Sequence, residues 1–218
     1  MTPAIEAVVF DLGAVLIDWD PRHLYRKLFD GDAAAMERFL AEVCTPAWNA
    51  RQDAGRSWGE AIETLVRAHP EQRDLIVAYD ERWPEMLGGP IEGTVEILRA
   101  LHERDERRPR LAVLSNWSAE KFPVALERYP FLGWFDAIVV SGEVGFSKPD
   151  PRIFRHLLAA TGFDPATTLF VDDVPDNIAE AAAHGLRTHL FRDPPMLRAD
   201  LEAMGLLDRV SRRPRSDR

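Results

Sequence analysis

The sequence predicts an α/β protein, a parallel β-sheet with helices on both faces and an all-helical segment inserted after the first strand. Five short, nearly continuous apolar runs have the character of strands buried on both faces. Helical patterns separate the later runs, and alternation of strand and helix implies parallel pairing. Between the first and second runs lie roughly 70 residues that read almost wholly helical, too many for a structureless loop.

The strand-like runs fall at residues 5–10, 111–114, 137–140, 169–171 and 188–191. After the first, amphipathic runs at 22–29, 33–43, 58–68 and 71–83 make up the insert, and Gly and Pro at 18–21 and 88–90 supply the turning points at its two ends. Beyond it, Ile91, Val95, Leu98 and Leu101 recur at helical spacing, and Asp150-Pro151 reads as an N-cap and first turn leading into Ile153, Phe154, Leu157 and Leu158. The expected division is a core of 1–18 and 89–208, a helical insert of 19–88, and a solvated, disordered tail of 209–218 whose five arginines, Pro214 and two serines resemble no folded segment.

A chain of 218 residues can bury a sizeable core. Its 27 basic against 36 acidic residues give a net charge of -9, which argues against a nucleic-acid surface. The single cysteine, Cys44, rules out an internal disulfide and reads as a buried, inert thiol. No run approaches the roughly 20 apolar residues of a membrane span, so no membrane partner is expected, and a soluble, cytoplasmic protein is.

Chemistry-bearing residues gather where the strand runs end. Asp11 directly follows Val8-Val9-Phe10, at a strand's carboxyl end, where open α/β sheets do their chemistry. Ser115 and Asn116 follow the second run, Lys148 lies in Val144-Gly145-Phe146-Ser147-Lys148-Pro149, and Asp172-Asp173 ends the fourth. Several carboxylates in one crevice are costly unless a cation sits among them. Oxygen ligands with room for water suit Mg²⁺.

In order and type these four segments resemble the motifs of the haloacid dehalogenase-like hydrolases, over the whole chain but for the tail. The resemblance implies a Rossmann-like core with a helical cap, and a Mg²⁺-dependent phosphatase acting on a small phosphorylated metabolite, with a sugar phosphate as one candidate. Asp11 would be the nucleophile that forms an aspartyl phosphate. Ser115 and the backbone N–H of Asn116 would bind phosphoryl oxygens, and Lys148 would supply positive charge. The ion would lie on Asp11, the carbonyl of Gly13 and Asp172, with Asp173 and Asp176 as secondary candidates.

One position departs from the resemblance. Most phosphatases of this kind carry an acid two residues after the nucleophile, and here that residue is Gly13. A positioned acid or base contributes about 10² to 10⁴ in rate, so the proton must come from elsewhere or the substrate must need less help. Asp18 and Asp20 follow the strand, but Asp20-Pro21 reads first as a helix cap. Trp48, Arg51 and Asp53, beside the turn at Gly55, resemble a cap loop that selects the leaving group, and Trp117 is a further candidate wall. His69, His102, His156 and His184 show no spacing for a metal cluster. The rival readings are a metal-independent 2-haloacid dehalogenase, which Gly13 would suit, and an impaired member that only binds a phosphorylated ligand. Paired carboxylates at Asp172 and Asp173 would repel an anionic haloacid and favour the phosphatase.

Overall fold

The computed structural model describes residues 3–104 and 108–208, and the arginine-rich tail lies outside the described residues. Its elements run β1 (Ala7–Phe10), β2 (Ile17–Trp19), α1 (Arg22–Leu28), α2 (Ala33–Glu42), α3 (Pro46–Asp53), α4 (Trp58–Ala68), α5 (Arg73–Glu81), β3 (Leu87–Pro90), α6 (Glu92–His102), β4 (Arg110–Ser115) and α7 (Phe122–Arg128). There follow β5 (Ala137–Val140), α8 (Ser141–Val144), α9 (Pro151–Thr161), β6 (Thr168–Asp172), α10 (Pro175–Ala183), β7 (Arg187–Leu190) and α11 (Pro194–Ala203).

Five strands form one parallel sheet in the order β5-β4-β1-β6-β7. β1 is central and wholly buried, and its side chains alternate between two apolar layers. Val8 and Phe10 join Val95, Leu98, Leu101, Leu197 and Leu201 of α6 and α11, while Ala7 and Val9 join Ile153, Phe154, Leu157 and Ala181 of α9 and α10. Burial on both faces explains why these strands read as continuous apolar runs rather than as alternating ones. β1 also sets the site: Phe10 pairs with Val171 on one side and Val113 on the other, so the residues that follow β1 and β6 emerge side by side.

The insert is helical, as its amphipathic runs predict. Its two connections pair as the antiparallel strands β2 and β3, with Ile17 opposite Pro90 and Asp18 opposite Gly89. The turning points expected at 18–21 and 88–90 are thus tied to each other. Asp20 accepts the N–H of Arg22 at 2.8 Å at the start of α1, the cap expected of it. α3 is an element that periodicity does not announce. Thr45 caps it by accepting the N–H of Trp48 at 3.0 Å, and Pro46 opens its first turn. No helix of the described residues is long and apolar enough to cross a membrane.

Candidate active site

Asp11, at the end of β1, and Asp172, at the end of β6, converge on one ammonium group. Lys148 Nζ lies 3.0 Å from Asp11 Oδ1 and 2.7 Å from Asp172 Oδ2, and all three side chains are buried or nearly so. Asp11 Oδ1 also accepts the N–H of Leu12 at 2.7 Å. Asp172 is held from the far side by the N–H of Val174 at 2.8 Å and by Asn177 Nδ2, at 3.0 and 3.1 Å from its two oxygens. With one ammonium shared between two buried carboxylates, burial pushes Asp11 up to about 6; Lys148 lowers it and the charge of Asp172 raises it.

Asp173 completes a group of three carboxylates whose ligand oxygens lie within 4.8 Å of one another, the only such metal-competent cluster among the described residues. Burial, then the neighbouring charge of Asp172, raises its carboxyl as well. Asp176 is not part of this group. It is exposed in the first turn of α10, where an acid complements the helix dipole.

Lys148 is placed by Asn116. The Lys148 N–H donates to Asn116 Oδ1 at 2.8 Å and Asn116 Nδ2 donates to the Lys148 carbonyl at 2.9 Å, so one amide side chain after β4 braces the loop that carries the lysine. The neighbouring Ser115 hydroxyl is buried and finds no partner among the described residues.

Next to these strand ends, Gly13, Asn116 and Trp117 of the core line a small pocket of about 60 Å³ together with Trp19, Trp83, Asn49 and Asp53. Trp83 and Trp117 meet edge to face with ring centroids 5.5 Å apart. Trp19 Nε1, Trp117 Nε1 and Asn49 Oδ1 are buried without a partner among the described residues. A wider cavity of about 680 Å³ shares Trp19 and Asn49 and runs out past Asp18, Asp20, Leu40 and Tyr79.

The insert is fastened over this pocket. Trp58 donates its indole N–H to Ser118 Oγ at 2.9 Å and its backbone N–H to Glu120 at 3.0 Å, while Ser141 Oγ bonds to the carbonyl of Asp53. Of the insert residues singled out from sequence, Asp53 lines the pocket; Trp48 and Arg51 do not. Trp48 turns inward against Trp58 and Tyr79, with centroids 5.7 and 5.1 Å away, and Arg51 is exposed. Trp117 is at once a core residue and a pocket wall. Asn177 and Asn49 lie beside residues that the sequence singles out but carry no signal of their own, and Trp19 and Trp83 reach the site from segments with no motif.

Cys44 is a buried thiol pushed up to about 12 by burial, as an inert cysteine should be. His69, His102, His156 and His184 take no part in a metal-competent cluster among the described residues.

Mouse acyl-CoA dehydrogenase family member 10 is 37% identical to the chain over 218 residues, 91% of this chain and 19% of that protein. Phosphoserine phosphatase of Thermus thermophilus is 31% identical over 160 residues, 68% and 60% of the two chains. The chain thus spans about a fifth and three fifths of the length of these curated relatives. Among solved structures, the HAD-family enzyme BT-2542 of Bacteroides thetaiotaomicron, in complex with magnesium and inorganic phosphate, has a TM-score of 0.65 at 23% identity, covering 87% of this chain and 95% of that one. A dehalogenase with an intermediate complex has a TM-score of 0.64 at 21% identity, covering 86% and 85%. These likenesses show the fold, and because the family model for haloacid dehalogenase-like hydrolase matches residues 5–185, the chain belongs to that family.

Proposed function

We propose that the chain is a Mg²⁺-dependent phosphatase acting on a small phosphorylated metabolite through an aspartyl phosphate at Asp11. One observation carries the reading: three carboxylates crowd the strand ends against a single ammonium, so the site has unbalanced negative charge that a divalent cation suits. Asp11, Asp172 and Asp173, with the carbonyl of Gly13, would hold Mg²⁺, which when bound would draw charge from the phosphoryl oxygens. The activity named for the Thermus relative and the magnesium and phosphate of the BT-2542 complex support the same class.

In this reading Asp11 attacks phosphorus, and the bond to the leaving oxygen breaks with its electron pair going to that oxygen. Water then attacks phosphorus, and the pair of the Asp11–phosphorus linkage returns to the Asp11 carboxylate. Lys148 orients Asp11 and offsets charge during transfer. The Ser115 hydroxyl, with no partner among the described residues, and the Asn116 N–H would receive phosphoryl oxygens. The insert would enclose the reaction as a cap over 19–88.

Phosphate release from p-nitrophenyl phosphate, with Mg²⁺ and with chelator, tests this. Turnover should need Mg²⁺ and vanish in Asp11→Asn. The dehalogenase reading draws on Gly13 and on a structural neighbour. It predicts metal-independent halide release from a 2-haloacid and no phosphate release.

A further inference from the structure

We infer that Asp53, carried by the insert, is the acid that protonates the leaving oxygen and then the base that activates water. The inference rests on the phosphatase reading. An alkoxide is a poor leaving group, so the oxygen released from phosphorus needs a proton. In the core, Asp11 and Asp172 are both bound to Lys148, Asp173 belongs to the metal-competent cluster, and Gly13 has no side chain. Asp53 is the only titratable group among the residues lining the pocket, which it shares with Gly13, next to Asp11, and with Asn116, next to Ser115.

Three features suit Asp53 to the role. Its position is fixed, since the Asp53 carbonyl is bonded by Ser141, Asn49 Nδ2 donates to Asp53 Oδ2 at 2.9 Å, and the following Gly55 sits against Gly142 of the core. Among the described residues no basic side chain pairs with it. Its neighbours are Asn49 and Gln52 of its own helix, Tyr79 of α5, whose phenol its charge pushes further up, and the Ser118 N–H from the core. Burial, opposed by the Ser118 N–H, pushes its carboxyl up to about 7, so near neutral pH the proton can be both given and taken back. The wider cavity beyond Trp19 and Asn49 gives the rest of the leaving group somewhere to lie.

The steps balance. As Asp11 attacks and the leaving oxygen takes the electron pair, the Asp53 carboxyl gives that oxygen its proton and becomes a carboxylate. The carboxylate then takes a proton from water as the water oxygen attacks the aspartyl phosphate. Asp11 is released, and Asp53 is again protonated.

The test compares ring-substituted phenyl phosphates, from p-nitrophenyl, which leaves readily, to unsubstituted phenyl, which needs the proton. In Asp53→Asn, kcat/KM for phenyl phosphate should fall by about 10² or more while that for p-nitrophenyl phosphate falls by less than about tenfold. The wild-type rate with phenyl phosphate should decline above about pH 7, and that decline should disappear in the variant. An equal loss across the series, with the pH limb unchanged, would overturn the assignment of Asp53 while leaving the phosphatase reading intact. Absence of turnover by wild type on every ester with Mg²⁺ would overturn both.

Discussion

Asn116 grips the backbone of Lys148 through both of its polar groups, accepting its N–H at 2.8 Å and donating to its carbonyl at 2.9 Å. The lysine that bridges Asp11 and Asp172 therefore owes its position to a residue on a different strand. In Asn116→Ala the part-buried N–H and carbonyl of Lys148 both lose their partner, at a cost of about 1–3 kcal/mol. Misplacement of the ammonium by even 1 Å should lower kcat by about 10². Thermal unfolding and kcat on p-nitrophenyl phosphate check this, and a variant with a full loss of stability but unchanged kcat would refute the bracing role.

Magnesium should stabilise the folded chain measurably. The three carboxylates at the strand ends repel one another where only Lys148 opposes them. A ligand bound only by the native state adds about 2.7 kcal/mol at one hundred times its dissociation constant. Asp173→Asn should show the opposite pair of effects, a higher Tm in chelator, because burial and the charge of Asp172 disfavour the ionised form, and a much smaller response to Mg²⁺. Differential scanning calorimetry in EDTA and in Mg²⁺ reads both.

Gly142, in α8, packs tightly within the core against the loop that follows β4. A Cβ at this position would come 2.4 Å from the backbone nitrogen of Ala119 and 2.8 Å from the Trp117 carbonyl, neither of which can swing away as a side chain could. Gly142→Ala must therefore push the loop after β4 outward, carrying Asn116 and Trp117 with it. We expect about 1–3 kcal/mol of lost stability and a fall in kcat/KM larger than any fall seen for Gly133→Ala, where an added Cβ meets nothing within 4 Å. Equal effects of the two substitutions would contradict this account.

Sheet and core site were legible because they obey local rules. Asp11, Ser115 and Asp172 each end a buried apolar run, and a parallel sheet brings such ends together whatever the intervening sequence. The insert was legible as helices but not as a site wall. Trp48 sits beside a charged turn in sequence, yet the Thr45 cap and Pro46 start α3 in a phase that sends Trp48 inward and Asp53 to the pocket. Asn116 and Asn177 were unreadable in the roles they play, since an amide carries no periodic signal and its partners lie on other elements. Asp176 had the right spacing for the carboxylate cluster, but the turn into α10 leaves it exposed outside that group.

If Asp53 is kept protonated by burial, the fold should bear a cost for it that depends on pH. Its carboxyl titrates near 7 in the folded chain and near 3.9 when unfolded, so between these values the native state holds a proton that the unfolded state has lost. Stability from this residue is thus fully present below about pH 4 and is lost as pH rises through about 7. Asp53→Asn removes the titration while keeping an oxygen to accept from Asn49. The variant should match wild type near pH 4 and exceed it by about 1–3 kcal/mol at pH 8, the upper part of that range being reduced by the residue's partial access to solvent. Urea unfolding at the two pH values measures the difference. A gap that is the same at both would mean that the Asp53 carboxyl titrates as an ordinary surface acid, and a surface acid would be ionised at neutral pH with no proton to give the leaving oxygen.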